Sequence, residues 1–137
     1  MHIQPYLFFD GRCEEALNFY QQVVDAEVIM LMRFKDSPEP TPAGMLPPAS
    51  ENKIMHASFR VGETELMASD GHCAGNAHFK GFSLSLTLPN AAEVDKRFKA
   101  LSDGGQITMP LGQTFFSPRF GMLTDRFGVG WMLIVHP

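Results

Sequence analysis

A strand, a turn and a helix follow one another in residues 5–20, which read PYLFFDGRCEEALNFY. The first residues of this stretch are aromatic and apolar, and they end at Asp10-Gly11, a pair that favours a turn. They therefore predict a strand over residues 4–9. Beyond the turn, apolar residues recur at helical spacing, from Ala16 and Leu17 through to Val24. Asp10 is the predicted helix cap. The chain is therefore expected to open with a strand followed by a helix.

The same order returns when the sequence is shifted by 79 positions, which places Glu14 on Glu93 and Phe19 on Phe98. Residues 82–88 alternate apolar and small polar side chains, which is typical of a half-buried strand. A helix is predicted next, with Asn90 as its cap and its end at Gly104-Gly105. Each half then reads as strand, helix and three strands. One such module leaves an apolar sheet face uncovered, so we expect two of them to pair around a central cleft.

The remaining strands are predicted over residues 26–34, 53–61, 64–69, 107–113, 121–124 and 129–135. Residues 36–52 hold five of the ten prolines of the chain, and proline lacks the amide that a sheet requires, so this stretch is predicted to be a surface loop. Residues 70–80, rich in Gly, Asn and His, are predicted to connect module 1 (about 1–70) to module 2 (about 80–137).

Composition narrows the class of protein. The chain has 137 residues, 45% of them hydrophobic, and a formal net charge of −4, which favours one folded domain and argues against a nucleic-acid partner. No apolar run is long enough to span a membrane, and the first residues do not resemble a secretory signal. Two cysteines cannot form a disulfide framework, so we expect a cytoplasmic protein.

Few residues carry a signal for catalysis. His56 shares a predicted strand face with Ser58 and Arg60, and it is our candidate acid or base if that face lines the cleft; otherwise it is a packing or surface side chain. Cys13 lies in the first helical turn, but no base is close to it in sequence, so no nucleophile is predicted there.

Two further patterns argue against particular chemistries. The loop with Asp70, His72, Cys73 and His78 is interpreted as solvated rather than metal-binding, because adjacent His72 and Cys73 do not easily reach one ion. No Gly-x-Ser-x-Gly turn is present, and no Gly-x-Gly-x-x-Gly follows a strand. Serine catalysis and methyl transfer are therefore not predicted.

The chain is rich in Phe and Met, and part of this soft apolar surface is expected to line a ligand cavity with a few polar contacts. The candidate ligand-binding residues are Tyr6, Phe8, His56, Ser58, Met67, Ser69, Ser83, Phe115, Phe116, Trp131 and Met132.

Three stretches resemble the vicinal oxygen chelate superfamily, which includes glyoxalase I, extradiol dioxygenases and bleomycin resistance proteins. They are residues 5–20, residues 66–70 and residues 121–132, GMLTDRFGVGWM, and they are similar to the PhnB-like (demethylubiquinone methyltransferase-like) branch. The resemblance implies an α+β fold over residues 1–137, with two βαβββ modules in a cupped, mixed eight-stranded sheet and the helices outside. It also implies a homodimer.

Metal-dependent members of the superfamily hold their ion with His, Glu or Gln at four strand positions. Matching those positions here gives Pro5 or Gln4, then Met67 or Ser69, then Ser83, and finally Met132. Proline and methionine are not ligands for a hard or borderline divalent ion. We therefore predict no metal and no cofactor at this site.

The leading hypothesis is metal-independent binding of an apolar or aromatic small molecule in the cup. One alternative is a metal-dependent enzyme of the glyoxalase or dioxygenase type, with ligands not matched above. Another is a metal-free enzyme that uses His56 as acid or base, and a purely structural module is the fourth.

Overall fold

The computed structural model describes residues 1–39, 42 and 44–136. Three residues of the predicted Pro-rich loop, Pro40, Thr41 and Ala43, lie outside the described residues, as does Pro137. The chain divides into two compact units, Met1–Ala77 and His78–Pro137.

The first unit contains one helix and four strands. Its elements are β1 (Tyr6–Phe8), α1 (Cys13–Val23), β2 (Glu27–Arg33), β3 (Ile54–Val61) and β4 (Thr64–Ser69), with a short 3-10 turn at Phe34–Asp36. The strand order across the sheet is β1-β4-β3-β2, with β1 parallel to β4 and the other pairs antiparallel. The predicted strand, helix and three strands are confirmed.

The second unit repeats this plan. Its elements are β5 (Leu84–Leu88), α2 (Ala91–Ser102), β6 (Gln106–Gly112), β7 (Phe120–Thr124) and β8 (Gly130–Val135). The sheet order is β5-β8-β7-β6, and β5 is again parallel to β8. The α+β class and the repeated βαβββ order predicted from the sequence are confirmed.

In each unit the helix covers one face of the sheet. In the core of the first unit, the ring of Tyr20 from α1 stacks on that of Phe59 from β3, with ring centroids 6.2 Å apart. Leu7 and Ala68 are buried in the same core. The second core buries Phe98 and Leu101 of α2 with Leu123 and Leu133 of the strands. Because successive strand residues point to opposite faces, the intervening residues lie on the face away from the helix, which we call the open face of that sheet.

The two helix starts are capped in different ways. Asn90 caps α2 as predicted, its Oδ1 accepting the Glu93 N–H at 2.9 Å. The prediction that Asp10 caps α1 is wrong, because Asp10 occupies a turn with φ +54° and Arg12 precedes the helix without a side-chain cap. Asp70, at the end of β4, accepts the N–H groups of Gly11 and Cys13 instead, both at 2.8 Å.

Candidate functional site

The open face of the first sheet brings together all six candidate ligand residues of the first module. Strand pairing sets Tyr6 beside Met67, Met67 beside Ser58, and Ser58 beside Met30, so that these four side chains form one row across the sheet. The apolar and polar part of the first open face is made by Tyr6, Phe8, Met30, Met32, His56, Ser58, Met67 and Ser69, and its far end carries the charged residues Glu27, Arg60 and Glu65. Phe8 is 55% exposed and Met30 40%, which leaves apolar surface at the edges of this face.

A hydrogen-bonded aromatic pair lies within this face. The Tyr6 hydroxyl and His56 Nδ1 are 3.1 Å apart, and their ring centroids are 5.6 Å apart. The hydroxyl donates to Nδ1 when the proton of His56 is on Nε2, and accepts from Nδ1 in the other tautomer. The Phe8 ring lies 4.8 Å from that of Tyr6. Within the described chain, no second hydrogen-bond partner is found for the His56 ring, so Nε2 is available to a ligand.

Ser58 supplies a second polar group on this face. The residue is only 7% exposed, and no hydrogen bond of its hydroxyl is found among the described residues; because none of their buried side-chain oxygens lacks a partner, the Ser58 Oγ atom is open to solvent. The Ser69 hydroxyl differs, since it accepts the Gly71 N–H at 3.1 Å. A hydroxyl that is bonded only to solvent is a natural contact for a polar ligand atom.

The candidate residues of the second module do not share one face. Met132 lies on the open face of the second sheet, whereas Trp131, its neighbour in β8, is buried in the core and donates its indole N–H to Asp125 at 2.9 Å. Ser83 precedes β5 instead of lying within it. The residues directly beside Met132 are Ser85 of β5 and Met122 of β7.

Sequence reasoning missed Ser85, Met109 and Met122, although a signal for two of them was present. The 79-residue shift that relates the modules carries Tyr6 to Ser85 and Met30 to Met109. The second open face is made by Ser85, Thr87, Gln106, Met109, Phe120, Met122, Thr124, Met132 and Ile134.

Phe115 and Phe116 lie in a turn before β7. Phe115 is fully exposed, and Phe116 contacts Phe120 edge-on with centroids 5.0 Å apart. The turn is fixed by Ser117, whose N–H donates to Thr114 Oγ1 at 3.0 Å. The structure thus presents these rings at an outer corner of the second unit.

The positions matched to metal ligands in the superfamily carry other contacts. The Gln4 amide nitrogen donates to the Glu65 carbonyl at 3.5 Å, and its oxygen lies 3.1 Å from His2 Nε2. In the predicted solvated loop, the Asp70 carboxylate is buried and bonded to three backbone N–H groups. No group of three or more His, Cys, Asp or Glu side chains is arranged to hold an ion among the residues described.

Both thiols are held in the protonated form. Burial raises the pKa of Cys13, and the nearby carboxylates of Asp70 and Glu14 raise it further. Burial also raises the pKa of Cys73, again with a contribution from Asp70. This electrostatic environment is the opposite of that of a nucleophilic thiolate.

Two cavities of the first unit lie away from its open face. One, of about 310 Å³, is lined by Phe34, Leu46, Pro47 and Ser50 among others. The second, of about 390 Å³, lies at the start of α1 and is lined by Glu14, Glu15, Asn18 and Lys53. At its edge Arg33 forms a two-point ion pair with Glu14, which lowers the pKa of that carboxyl. None of the described helices combines the length and apolar character needed to cross a membrane.

The twice-repeated βαβββ order defines the class of protein as the glyoxalase/bleomycin resistance fold of the vicinal oxygen chelate superfamily. The fosfomycin resistance protein FosX from Listeria monocytogenes shares this fold with a TM-score of 0.67 at 12% identity, over 100% of this chain and 93% of that chain. Within the class, the chain belongs to the family described as 3-demethylubiquinone-9 3-methyltransferase, whose model matches residues 1–134.

Relatives match the chain over nearly its full length. Protein YjdN from Escherichia coli (strain K12) is 36% identical, over 98% of this chain and 95% of that protein. The crystal structure of PA1353 from Pseudomonas aeruginosa is 44% identical with a TM-score of 0.85, covering 99% and 98% of the two chains. The PhnB protein from Bacillus cereus is 33% identical with a TM-score of 0.81, covering 99% and 100%. These matches confirm the PhnB-like branch inferred from the sequence.

Proposed function

We propose that this protein binds an apolar or aromatic small molecule on the first open face without a metal ion. The observation that carries the proposal is the Tyr6–His56 pair, which lies beside the free Ser58 hydroxyl within exposed apolar surface. Ligand sites are usually apolar surfaces with a few fixed polar groups, and this face has that composition.

The geometry supports a planar ligand with one polar substituent. Its ring would contact Tyr6 and Phe8, and the thioether of Met67 would add a sulfur–aromatic contact. His56 Nε2 and Ser58 Oγ would bond the polar substituent. The net charge of −4 does not oppose a cationic ligand.

The donor set supports independence from a metal ion. Thioethers and a proline ring take the place of the imidazole and carboxylate ligands that hard or borderline divalent ions prefer.

Isothermal titration calorimetry and thermal shift with a panel of small phenols, quinones and cationic aromatic antibiotics test the proposal. The panel includes quinones because the family description names a demethylubiquinone. For a ligand found in the panel, Tyr6→Phe and Ser58→Ala are each expected to weaken binding about tenfold, because the first removes the hydrogen bond that orients His56 and the second removes a group that bonds the ligand. Thr64→Ala, an exposed change on the helix side of β4, is the matched control.

The proposal is overturned if no compound in the panel stabilises the protein. Equal affinity of the Tyr6→Phe, Ser58→Ala and Thr64→Ala variants would also overturn it, by placing the ligand elsewhere.

A second candidate function, metal-free catalysis with His56 as acid or base, is supported by the same hydrogen bond. Tyr6 fixes one nitrogen of the ring, which leaves Nε2 to exchange a proton with a bound molecule. For a compound that is turned over, His56→Ala should abolish turnover while affinity stays within a few-fold. Unchanged turnover in His56→Ala would eliminate this candidate.

The family description names methyl transfer, and the same panel of compounds can be used to test for that activity. Of the two strand-to-helix turns, the one before α1 has the single glycine Gly11 and the one before α2, Pro89-Asn90, has none, so neither forms the Gly-rich turn that admits a methyl donor closely. Incubation with an isotope-labelled methyl donor is therefore expected to leave every panel compound unlabelled.

We also propose that the protein is a homodimer, as the resemblance to the superfamily implies.

A further inference from the structure

Three methionines form a row across adjacent strands of the second sheet. Met109 of β6 pairs with Met122 of β7, and Met122 pairs with Met132 of β8. The row ends at Ser85 of β5. Each member therefore has its neighbour directly opposite on the next strand.

The backbone departs from regular pairing to complete this row. A register shift between Ile107 and Met109 sets Met109 opposite Met122. The first sheet has a matching shift between Val28 and Met30, which sets Met30 opposite Ser58. Bulges of this kind re-aim side chains and are frequent beside functional sites. The two modules thus place a methionine at the same point of the open face by the same device.

The two rows differ at one central position. In the first sheet Ser58 lies between Met30 and Met67, whereas in the second sheet Met122 lies between Met109 and Met132. Only the second row therefore has three thioethers side by side. Directly opposite side chains on neighbouring strands have Cβ atoms about 4.5–5.5 Å apart, so flexible methionines on three strands can turn their sulfur atoms toward one point.

We propose that the sulfur atoms of Met109, Met122 and Met132 bind a soft monovalent metal cation of the Cu(I) type. Thioether sulfur selects Cu(I) over the harder divalent ions that imidazole and carboxylate ligands hold. The other residues that strand pairing puts on this open face are all uncharged, so it offers no carboxylate or imidazole for a divalent ion: Ser85, Thr87, Gln106, Phe120, Thr124 and Ile134. Met109 is 44% exposed, which gives an ion access from solvent.

Silver(I) is the probe, because it has the ligand preferences of Cu(I) without its redox chemistry. The experiment uses the full chain with Cys13→Ala and Cys73→Ser, since thiols compete for silver, in chloride-free buffer. Methionines carrying ¹³C in the methyl group report each thioether separately by NMR. One equivalent of silver is expected to shift the methyl signals of Met109, Met122 and Met132 together and to leave Met45 unchanged.

Three variants locate the site. Met122→Leu keeps the size of the side chain and Met122→Ser reproduces the centre of the first row, and both are expected to weaken silver binding at least about tenfold, because even outer-shell changes at metal sites cost about 10–100-fold in affinity. Met45→Leu, in an exposed loop, is the control and should bind as the parent does. An unchanged NMR spectrum away from the row verifies that each variant is folded.

The proposal is overturned if silver shifts Met45 as strongly as Met122, or if Met122→Leu binds silver with the affinity of the parent. Conversely, Ser58→Met is expected to give a second equivalent of binding at the first row, which would support the three-thioether requirement.

Discussion

At the scale of single residues, two buried aspartates satisfy backbone and side-chain donors at the ends of strands. Asp70 follows β4 and accepts the N–H groups of Gly11, Cys13 and Ile54, each at 2.8 Å. Asp125 follows β7 and accepts the N–H groups of Phe127 and Val129 as well as the Trp131 indole N–H. Asp70 thereby links the start of α1 to the start of β3.

Asp70→Asn is expected to destabilise the protein by ~2–3 kcal/mol. The amide nitrogen of Asn cannot accept the N–H groups that the lost oxygen bonded, and a buried unsatisfied donor costs ~1–3 kcal/mol. Urea unfolding followed by circular dichroism measures the difference. Glu51→Gln removes the same charge at an exposed site and should stay within ~0.5 kcal/mol of the parent. Equal stabilities of the two variants would contradict this role of Asp70.

Cys13 makes the stability of the fold sensitive to alkaline pH. Its pKa is raised in the folded state, whereas in the unfolded chain the thiol ionises near its ordinary value of 9.0. Above that pH the unfolded state therefore binds fewer protons than the folded state. The free energy of unfolding consequently falls as the pH rises. Relative to Cys13→Ala, the parent should lose ~1.4 kcal/mol of unfolding free energy per pH unit above about pH 9. Urea titrations from pH 8 to 10.5 measure both slopes, and parallel curves would show that Cys13 does not ionise on unfolding.

The contrast between Asp10 and Asp70 shows what local sequence rules miss. Asp10 stands where a cap is expected, but the carboxylate that serves the helix is 57 positions from Cys13 along the chain. Asp70 itself lies in a stretch with the composition of a solvated loop. Only the parallel pairing of β1 with β4 brings it to the helix start, and that pairing is a long-range property.

At the scale of elements, the strands were predictable because their residues alternate or run apolar between turn formers. The hairpin turn at Gly62, with φ +58°, and the strand Thr64–Ser69 agree with the prediction. The bulges before Met30 and Met109 were not predicted, because an extra residue in one strand is defined only by its partner. That is why the pairing of Met109 with Met122 was not predicted.

An ion pair joins two elements of the first unit. Arg33, at the end of β2, bonds both oxygens of Glu14 in the first turn of α1 and also the Asn52 carbonyl. Glu14 is half-exposed, so solvent screens the pair. The pair therefore orients the segment after β2 more than it stabilises the fold.

The cap of α2 allows an element-scale prediction. Asn90→Ala is expected to cost ~1 kcal/mol, because the Glu93 N–H loses its acceptor, whereas Asn90→Ser should retain most of the stability since serine caps equally well. Thermal and urea unfolding followed by Trp131 fluorescence measure both variants within the second unit. If Ala and Ser prove equivalent at this position, the side-chain cap does not contribute.

At the scale of the whole molecule, the internal repeat of two βαβββ modules is the feature that could be predicted most completely from the sequence. Few residues are identical between the modules, but the order of elements and the sheet topology are the same in both. Within the first module, period-two alternation was enough to place Tyr6, His56, Ser58 and Met67 on one face. In the second module it failed for Trp131, because aromatic character alone does not distinguish a core ring from an open-face ring.

The exposed surface of the second unit bears on the assembly state of the protein. The second unit exposes large apolar side chains, above all Phe115, which is held out by the hydrogen-bonded Thr114–Ser117 turn. Clustered exposed apolar groups mark interaction surfaces, and together with the homodimer that the superfamily resemblance implies they lead us to expect a homodimer of 15.2 kDa chains. Light scattering coupled to size-exclusion chromatography should give about twice the chain mass. Phe115→Ser should shift the protein toward monomer at low micromolar concentration, whereas Met45→Ser, an equally simple loss of exposed apolar surface, should not. A monomeric parent would contradict the homodimer, and a Phe115→Ser dimer as stable as the parent would place its interface on another surface.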